Sequence, residues 1–224
     1  MVLDRTINTG EVAMSTLNRR LFLAGAGSLV STVALAQSSS SLVRPSQSFD
    51  RDRFIDDVKR ALSDGPDAVD EVMARAVSDP NSVLRELGEP NAAAIELLHR
   101  EDDLSIFNIV WPPMAVLVPH DHLMWATIGV YTGREDNIMW RRNGESIEAT
   151  TATSVGTKEV FALPSDAVHS VVNPVSRYTA AIHVYGGDLS SARRSQWDPL
   201  TLSEKPFDVE EGRRILQELD RRAL

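Results

Sequence analysis

Apolar residues recur along this chain with two different periods, and the change from one to the other divides it. Between residues 50 and 88 they fall three or four apart: Phe54, Ile55, Val58, Ala61 and Leu62, then Val69, Val72, Met73 and Ala76, then Val83, Leu84 and Leu87. That spacing gathers them on one face of each of three short helices. Asp50 or Asp52 is placed to cap the first, which Gly65-Pro66 ends. The second runs over about 67–77, and Asp79-Pro80 opens a third that Gly88 and Pro90 stop. From Ala94 the runs become strand-like. Residues 95–100 and 104–111 predict a hairpin across Glu101-Asp102-Asp103, and Pro112-Pro113 breaks the ladder after it. Further strands are predicted over 124–131, 137–142, 146–151, 158–163, 168–172 and 178–185, with a turn at 133–137 and an Asn143-Gly144 hairpin. A helix over 208–224 closes the chain, with Asp208 and Glu211 spaced as a capping box and Ile215, Leu216 and Leu219 as its apolar face. Many short strands flanked by helices predict a mainly β fold, a sandwich, jelly roll or small barrel.

Composition narrows the function. The 224 residues, 42% hydrophobic and 25% charged, fit one globular domain with appendages. A net charge of -9 with no basic block argues against nucleic acid or an anionic membrane as partner and leaves a small molecule. With no cysteine, any metal must be held by His, Asp or Glu. Near the N-terminus, Asn18-Arg19-Arg20-Leu21-Phe22-Leu23 leads into an uncharged run ending Ala34-Leu35-Ala36, shorter than a stable membrane span. This resembles a twin-arginine export signal and implies a periplasmic or exported protein, cleaved near Ala36. An uncleaved N-terminal helix on a cytoplasmic protein is the alternative, and translation starts at Met1 or Met14. The predicted organisation is a signal over 1–36, a Ser-rich linker over 37–48, a helical part over 49–93, a β-barrel over 94–207 and the helix over 208–224.

The candidate chemistry centres on Pro119-His120-Asp121-His122, a His-x-His pair on a strand-like run whose alternation sends both imidazoles to one side. A later segment, Pro164-Ser165-Asp166-Ala167-Val168-His169-Ser170-Val171-Val172-Asn173, adds a third histidine. These two stretches resemble the paired motifs of the cupin family, the second matching at Pro164, His169 and Asn173 with Asp166 in place of a glycine. The resemblance implies a cupin double-stranded β-helix, a jelly-roll barrel, in which His120, His122 and His169 hold a metal at the barrel mouth. The carboxylate many cupins place four residues after the second histidine is Ala126 here, and Glu135 is read as structural or surface. Neutral imidazoles suit Fe(II), Zn(II), Ni(II) and Cu(II) alike.

Ala181-Ile182-His183-Val184-Tyr185 narrows the likeness. Three histidines without a carboxylate, followed by a late His-x-Tyr pair, resemble the cysteine dioxygenase and 3-mercaptopropionate dioxygenase group, and Pro119-His120-Asp121-His122-x-Met124-Trp125-Ala126 with Gly133-Arg134-Glu135-Asp136-Asn137 resemble its bacterial branch. That resemblance covers roughly residues 97–198. It implies one Fe(II) per chain, dioxygen as co-substrate, and oxidation of a small carboxylate-bearing thiol to its sulfinate. It also implies a catalytic Tyr185 oriented by His183 and a carboxylate-binding Arg194, with Arg193 as a neighbouring rival and Arg100 matching the arginine of the cysteine-type enzymes. The chain departs from the group in two places. Ala181 stands where a relay serine is common, and Thr127 occupies the position of a cysteine that crosslinks to the tyrosine. Trp111, Trp125 and Trp140 are read as barrel packing. Two other readings stay open: a metal-dependent cupin oxygenase acting on a non-thiol substrate, and a metal- or ligand-binding cupin without turnover.

Overall fold

The computed structural model describes residues 48–223, so the expected signal over 1–36 and all but the last residue of the expected linker lie outside the described residues. The helical part forms as its periodicity predicts. Helix α1 (Arg51–Ala61) is capped by the Asp50 carboxylate, which accepts from the Arg53 amide at 2.8 Å; a single 3-10 turn leads to α2 (Pro66–Val77), and α3 (Pro80–Leu87) follows. Both α2 and α3 begin with a proline, whose missing amide is no loss in a first turn.

Eleven strands follow: β1 (Ala94–Glu101), β2 (Leu104–Trp111), β3 (Val116–Asp121), β4 (Ala126–Thr132), β5 (Arg134–Asn143), β6 (Ser146–Gly156), β7 (Val160–Leu163), β8 (Val168–Val172), β9 (Thr179–Tyr185), β10 (Ser195–Trp197) and β11 (Glu204–Pro206), before α4 (Val209–Ala223). They form two antiparallel sheets, β1-β2-β9-β4-β7 and β11-β10-β3-β8-β5-β6. The strand order makes a double-stranded β-helix, mainly β with helices at both ends.

Alternation along the central strands assigns each face. On β9, Ala180, Ile182 and Val184 pack with Leu104, Ile106 and Val110 of β2 against Val58, Val69, Met73 and Val77 of the helices. The intervening Ala181, His183 and Tyr185 turn to the barrel interior, and this period of two separates a structural face from a chemical one. Gly129 of β4 lies where α2 docks; a Cβ there would stand 2.4 Å from the Met73 sulfur. At the barrel's end Leu216 of α4 joins Ile109, Trp111, Ala115 and Val171. The Asp220 carboxylate ties α4 down by accepting from the Ala93 amide at 2.9 Å and the Tyr178 hydroxyl at 2.8 Å.

Two expectations are corrected. The turn predicted at 133–137 is mostly strand: β5 starts at Arg134, and only Gly133, with a φ of 80°, makes the bend. There Glu135 and Asn137 are buried, while Arg134 and Asp136 face outward and pair through two hydrogen bonds of 2.6 and 2.8 Å. Polar residues on both faces hid the alternation. The short strands β10 and β11 were not predicted; they widen the second sheet, Gln196 pairing with His120.

Candidate metal centre

The three histidines come together from separate places on the second sheet. His120 lies near the end of β3 and is the direct cross-strand partner of His169 on β8; His122 follows just past the end of β3. Between Leu117 and His120 the β3–β8 register slips by a bulge containing Pro119, which has no amide to give a ladder. The bulge leaves the Val118 carbonyl 3.0 Å from His120 Nδ1. His169 Nδ1 lies 2.7 Å from Asn137 Oδ1, and the Asn137 amide donates to Glu135 Oε1 at 3.1 Å, which fixes Oδ1 as the acceptor facing the ring. In His120 and His169 the Nδ1 proton is therefore engaged and Nε2 presents its lone pair.

Those lone pairs converge. His120 Nε2 is 3.1 Å from His122 Nε2, which is 3.3 Å from His169 Nε2. Burial pulls the His120 ring down to about 4, and burial together with neighbouring histidines holds His122 and His169 well below the ordinary value. Facing lone pairs of neutral rings repel unless a cation lies among them. Nitrogens about 2.1 Å from a common metal lie roughly 3.0–3.4 Å apart at octahedral to tetrahedral angles, so the donor set fits an ion. Among the described residues this cluster has no carboxylate ligand. Ala126, at the expected carboxylate position, is buried beside Tyr185 as its cross-strand partner. Thr127, equated with the crosslinking cysteine, turns the other way, its hydroxyl donating to Asp70 on α2 at 2.6 Å; Ala126 is the position that faces Tyr185.

A cavity of about 320 Å³ opens over the three rings, walled by Phe107, Ile109, Leu117, Val171 and Leu216. Tyr185 and His183 reach it from β9, with the Tyr185 ring centroid 4.9 Å from that of His122 and its hydroxyl 3.2 Å from His183 Nδ1. Burial pushes the Tyr185 hydroxyl upward, so it keeps its proton. Arg194 also lines the cavity, its guanidinium 4.1 Å from the centroid of Phe207, and its buried Nε has no hydrogen-bond partner among the described residues. Burial lowers its pKa, the cost of holding a cation away from water. Among the described residues no Asp or Glu lines the cavity.

The other two arginines are not brought to the site. Arg193 is exposed outside this cavity. Arg100 lies on the surface in a bidentate pair with Asp188 at 2.9 and 2.7 Å. Asn173, matched to the second motif, is a buried staple whose side-chain amide donates to the carbonyls of Trp111, Pro112 and Arg177. Asp166, where a glycine was expected, sits in a turn that has no positive φ at that residue. Sequence reasoning missed Asn137 and the inward role of Glu135, and it read Trp111 as packing alone, whereas its indole donates to Glu135 Oε2 at 2.9 Å. A period-two reading of residues 134–138 would have found the first two.

No family model matches the chain. Among solved structures it is similar to the DMSP lyase DddQ of Ruegeria pomeroyi DSS-3, with 20% identity, 45% of this chain and 50% of that one covered, and a TM-score of 0.37. A cupin family protein with a double-stranded β-helix fold from Methanocaldococcus jannaschii matches with 12% identity over 46% and 86% of the two chains, at a TM-score of 0.38. An oxalate oxidase in complex with the substrate analogue glycolate matches with 17% identity over 44% and 53%, at 0.34. The match thus spans about half the length of the lyase and of the oxalate oxidase.

Proposed function

We propose that this chain is a non-haem iron-dependent thiol dioxygenase, converting a small carboxylate-bearing thiol and dioxygen to the sulfinate, with both oxygen atoms ending on sulfur. The observation that carries this reading is three converging neutral imidazoles without a carboxylate, under a cavity that also holds the partnerless Nε of Arg194. His120, His122 and His169 would hold an iron(II) ion, which would supply the redox chemistry that side chains lack and would favour the ionised form of a thiol.

The chain's own groups do the rest. Arg194 clamps the substrate carboxylate, which leaves the thiol end of the substrate to meet the histidines. Tyr185 is the catalytic hydroxyl, donating a hydrogen bond to the reacting groups, and His183 orients it. The apolar wall keeps water from the reacting atoms. With no acidic side chain among the described residues lining the cavity, an ammonium group on the substrate finds no partner there, which favours a 3-mercaptopropionate-like over a cysteine-like thiol. We place the mature protein outside the cytoplasm on the signal-like pattern ending at Ala36.

The test is oxygen uptake by protein loaded anaerobically with Fe(II) and offered 3-mercaptopropionate, cysteine and related thiols. Uptake is expected with a carboxylate-bearing thiol, and none with any thiol despite one bound iron overturns the reading. The largely apolar wall favours, as the second reading, an oxygenase for a non-thiol carboxylate, which the same screen separates by running non-thiol acids alongside.

A further inference from the structure

Helix α4 turns Val209, Gly212, Leu216 and Leu219 to the barrel, positions three or four apart that share one side of a helix. Val209, Gly212 and Leu216 line the cavity over the histidines, while Leu216 and Leu219 pack on the barrel's end. Every position of this stripe but Gly212 carries a branched apolar side chain. Neither usual reason for a glycine applies there. Gly212 has no positive φ, and its amide donates to the Asp208 carbonyl at 3.1 Å as any residue's would in a helix. Close packing does not require it either. At Gly129 a Cβ would collide with Met73, but at Gly212 it would meet no described atom within 4 Å. A glycine inside a helix weakens it relative to alanine, so here that loss leaves open space and nothing else.

The open space belongs to the cavity. Its lining is buried at His120, His122 and His169 and becomes exposed at Ile95 of β1 and Val209 of α4, each 44% exposed, so it reaches from the histidines to the surface beside the start of α4. A volume of about 320 Å³ is room for about ten waters at roughly 30 Å³ each, and a three-carbon thiol acid displaces about half as many. In the proposed reaction both ends of such an acid already have places, the sulfur at the histidines and the carboxylate at Arg194. Phe207 stands beside both, its ring centroid 4.1 Å from the Arg194 guanidinium and 5.5 Å from the His120 ring centroid. A molecule held at both ends fills the remaining room through a group that branches from the carbons between them. Ile95, Ile109, Leu117, Val209 and Leu216 give that room aliphatic walls, which suit an apolar branch.

We propose that the site takes a 3-mercaptopropionate whose carbon chain bears an apolar branch, aliphatic or aromatic, and that Gly212 is the specificity-determining position that leaves room for this branch under α4. Oxidation of such a thiol rests on the dioxygenase reading above; the fit of the branch does not.

Binding and turnover test the two separately. Calorimetry with Zn(II)-loaded protein, which carries out no redox step, compares 3-mercaptopropionate with 2-benzyl-3-mercaptopropionate. The benzyl acid is expected to bind roughly 10- to 100-fold more tightly, the scale of burying one apolar side group. Gly212→Leu projects a side chain along the inward face of the helix and is expected to lower that preference at least about tenfold. Gly212→Ala is expected to lower it by a smaller step, about two- to threefold, while raising the unfolding midpoint, and it decides the matter should the leucine variant not fold. Equal affinity for the two acids, or a preference that neither substitution reduces, overturns the proposal. In the Fe(II)-loaded enzyme the same order is expected in kcat/KM. Turnover of 3-mercaptopropionate without preference for the benzyl acid in binding overturns the branched substrate and leaves the dioxygenase reading. A Gly212-dependent preference in binding, with no thiol turned over, overturns the dioxygenase reading and supports the pocket for the branch.

Discussion

At the residue scale the centre is a matter of which nitrogen holds the proton. His120 and His169 each give Nδ1–H to a fixed oxygen, Val118 O at 3.0 Å and Asn137 Oδ1 at 2.7 Å, so Nε2 needs no rearrangement to bind a cation. Asn137→Ala removes one of those oxygens and lets His169 turn or change tautomer. Its affinity for Fe(II) or Zn(II) is expected to fall by about 10- to 100-fold in a competition titration with a chromophoric chelator, while the fold persists. Arg194 acts on the other end of the substrate. Arg194→Ala is expected to lower kcat/KM for a carboxylate-bearing thiol by at least about tenfold, mainly through KM. Steady-state curves with the acid and with its uncharged amide analogue check this, since the amide should lose much less.

The elements explain how those residues arrive. The bulge at Pro119 is what frees the Val118 carbonyl, and the β3–β8 pairing sets His120 opposite His169. On the other sheet, docking of α2 depends on the missing side chain at Gly129, whose added Cβ would come within 2.4–2.9 Å of Met73 and Val77. Gly129→Ala is expected to destabilise the fold by about 1–3 kcal/mol in urea unfolding, with the histidine cluster intact in what remains folded. Elements with a buried apolar face were legible in the sequence: α1 to α3 and β2, β8 and β9 fall within a residue or two of their predicted spans. The beginning of β5 was not legible. Its inward Glu135 and Asn137 are polar because they serve the site, so hydrophobic alternation carried no sign of them. Strands β10 and β11, three residues each, are held by pairing with β3 and with each other, a signal that local composition does not contain.

For the whole molecule, the site was legible to the extent that it consists of rare residues at fixed spacing. His120, His122, His169, His183 and Tyr185 come to one cavity, and of the three candidate arginines only Arg194 joins them. Arg100 matched by position along the chain, but an exposed strand edge and Asp188 claim it. Burying three neutral imidazoles also sets a pH response. Their folded pKa values lie below the unfolded value of 6.5, for His120 at about 4, so the unfolded chain binds more protons in that window. Stability of the metal-free protein is therefore full above about pH 6.5 and is lost as pH falls toward 4, by about 1.4 kcal/mol per pH unit for each ring that titrates only when unfolded. Unfolding of the metal-free protein at pH 7.5 and 5.5 checks the sign. Metal at about 100 times its dissociation constant should add about 2.7 kcal/mol at the higher pH.

The most direct measurement is turnover of 3-mercaptopropionate by the Fe(II)-loaded protein under oxygen-18 gas, with the product analysed by mass spectrometry. The account predicts a sulfinate carrying two labelled oxygen atoms, formed by the unaltered protein and not by His169→Ala. Disulfide as the main product, a sulfinate labelled from water, or no consumption of thiol with iron fully bound would contradict it.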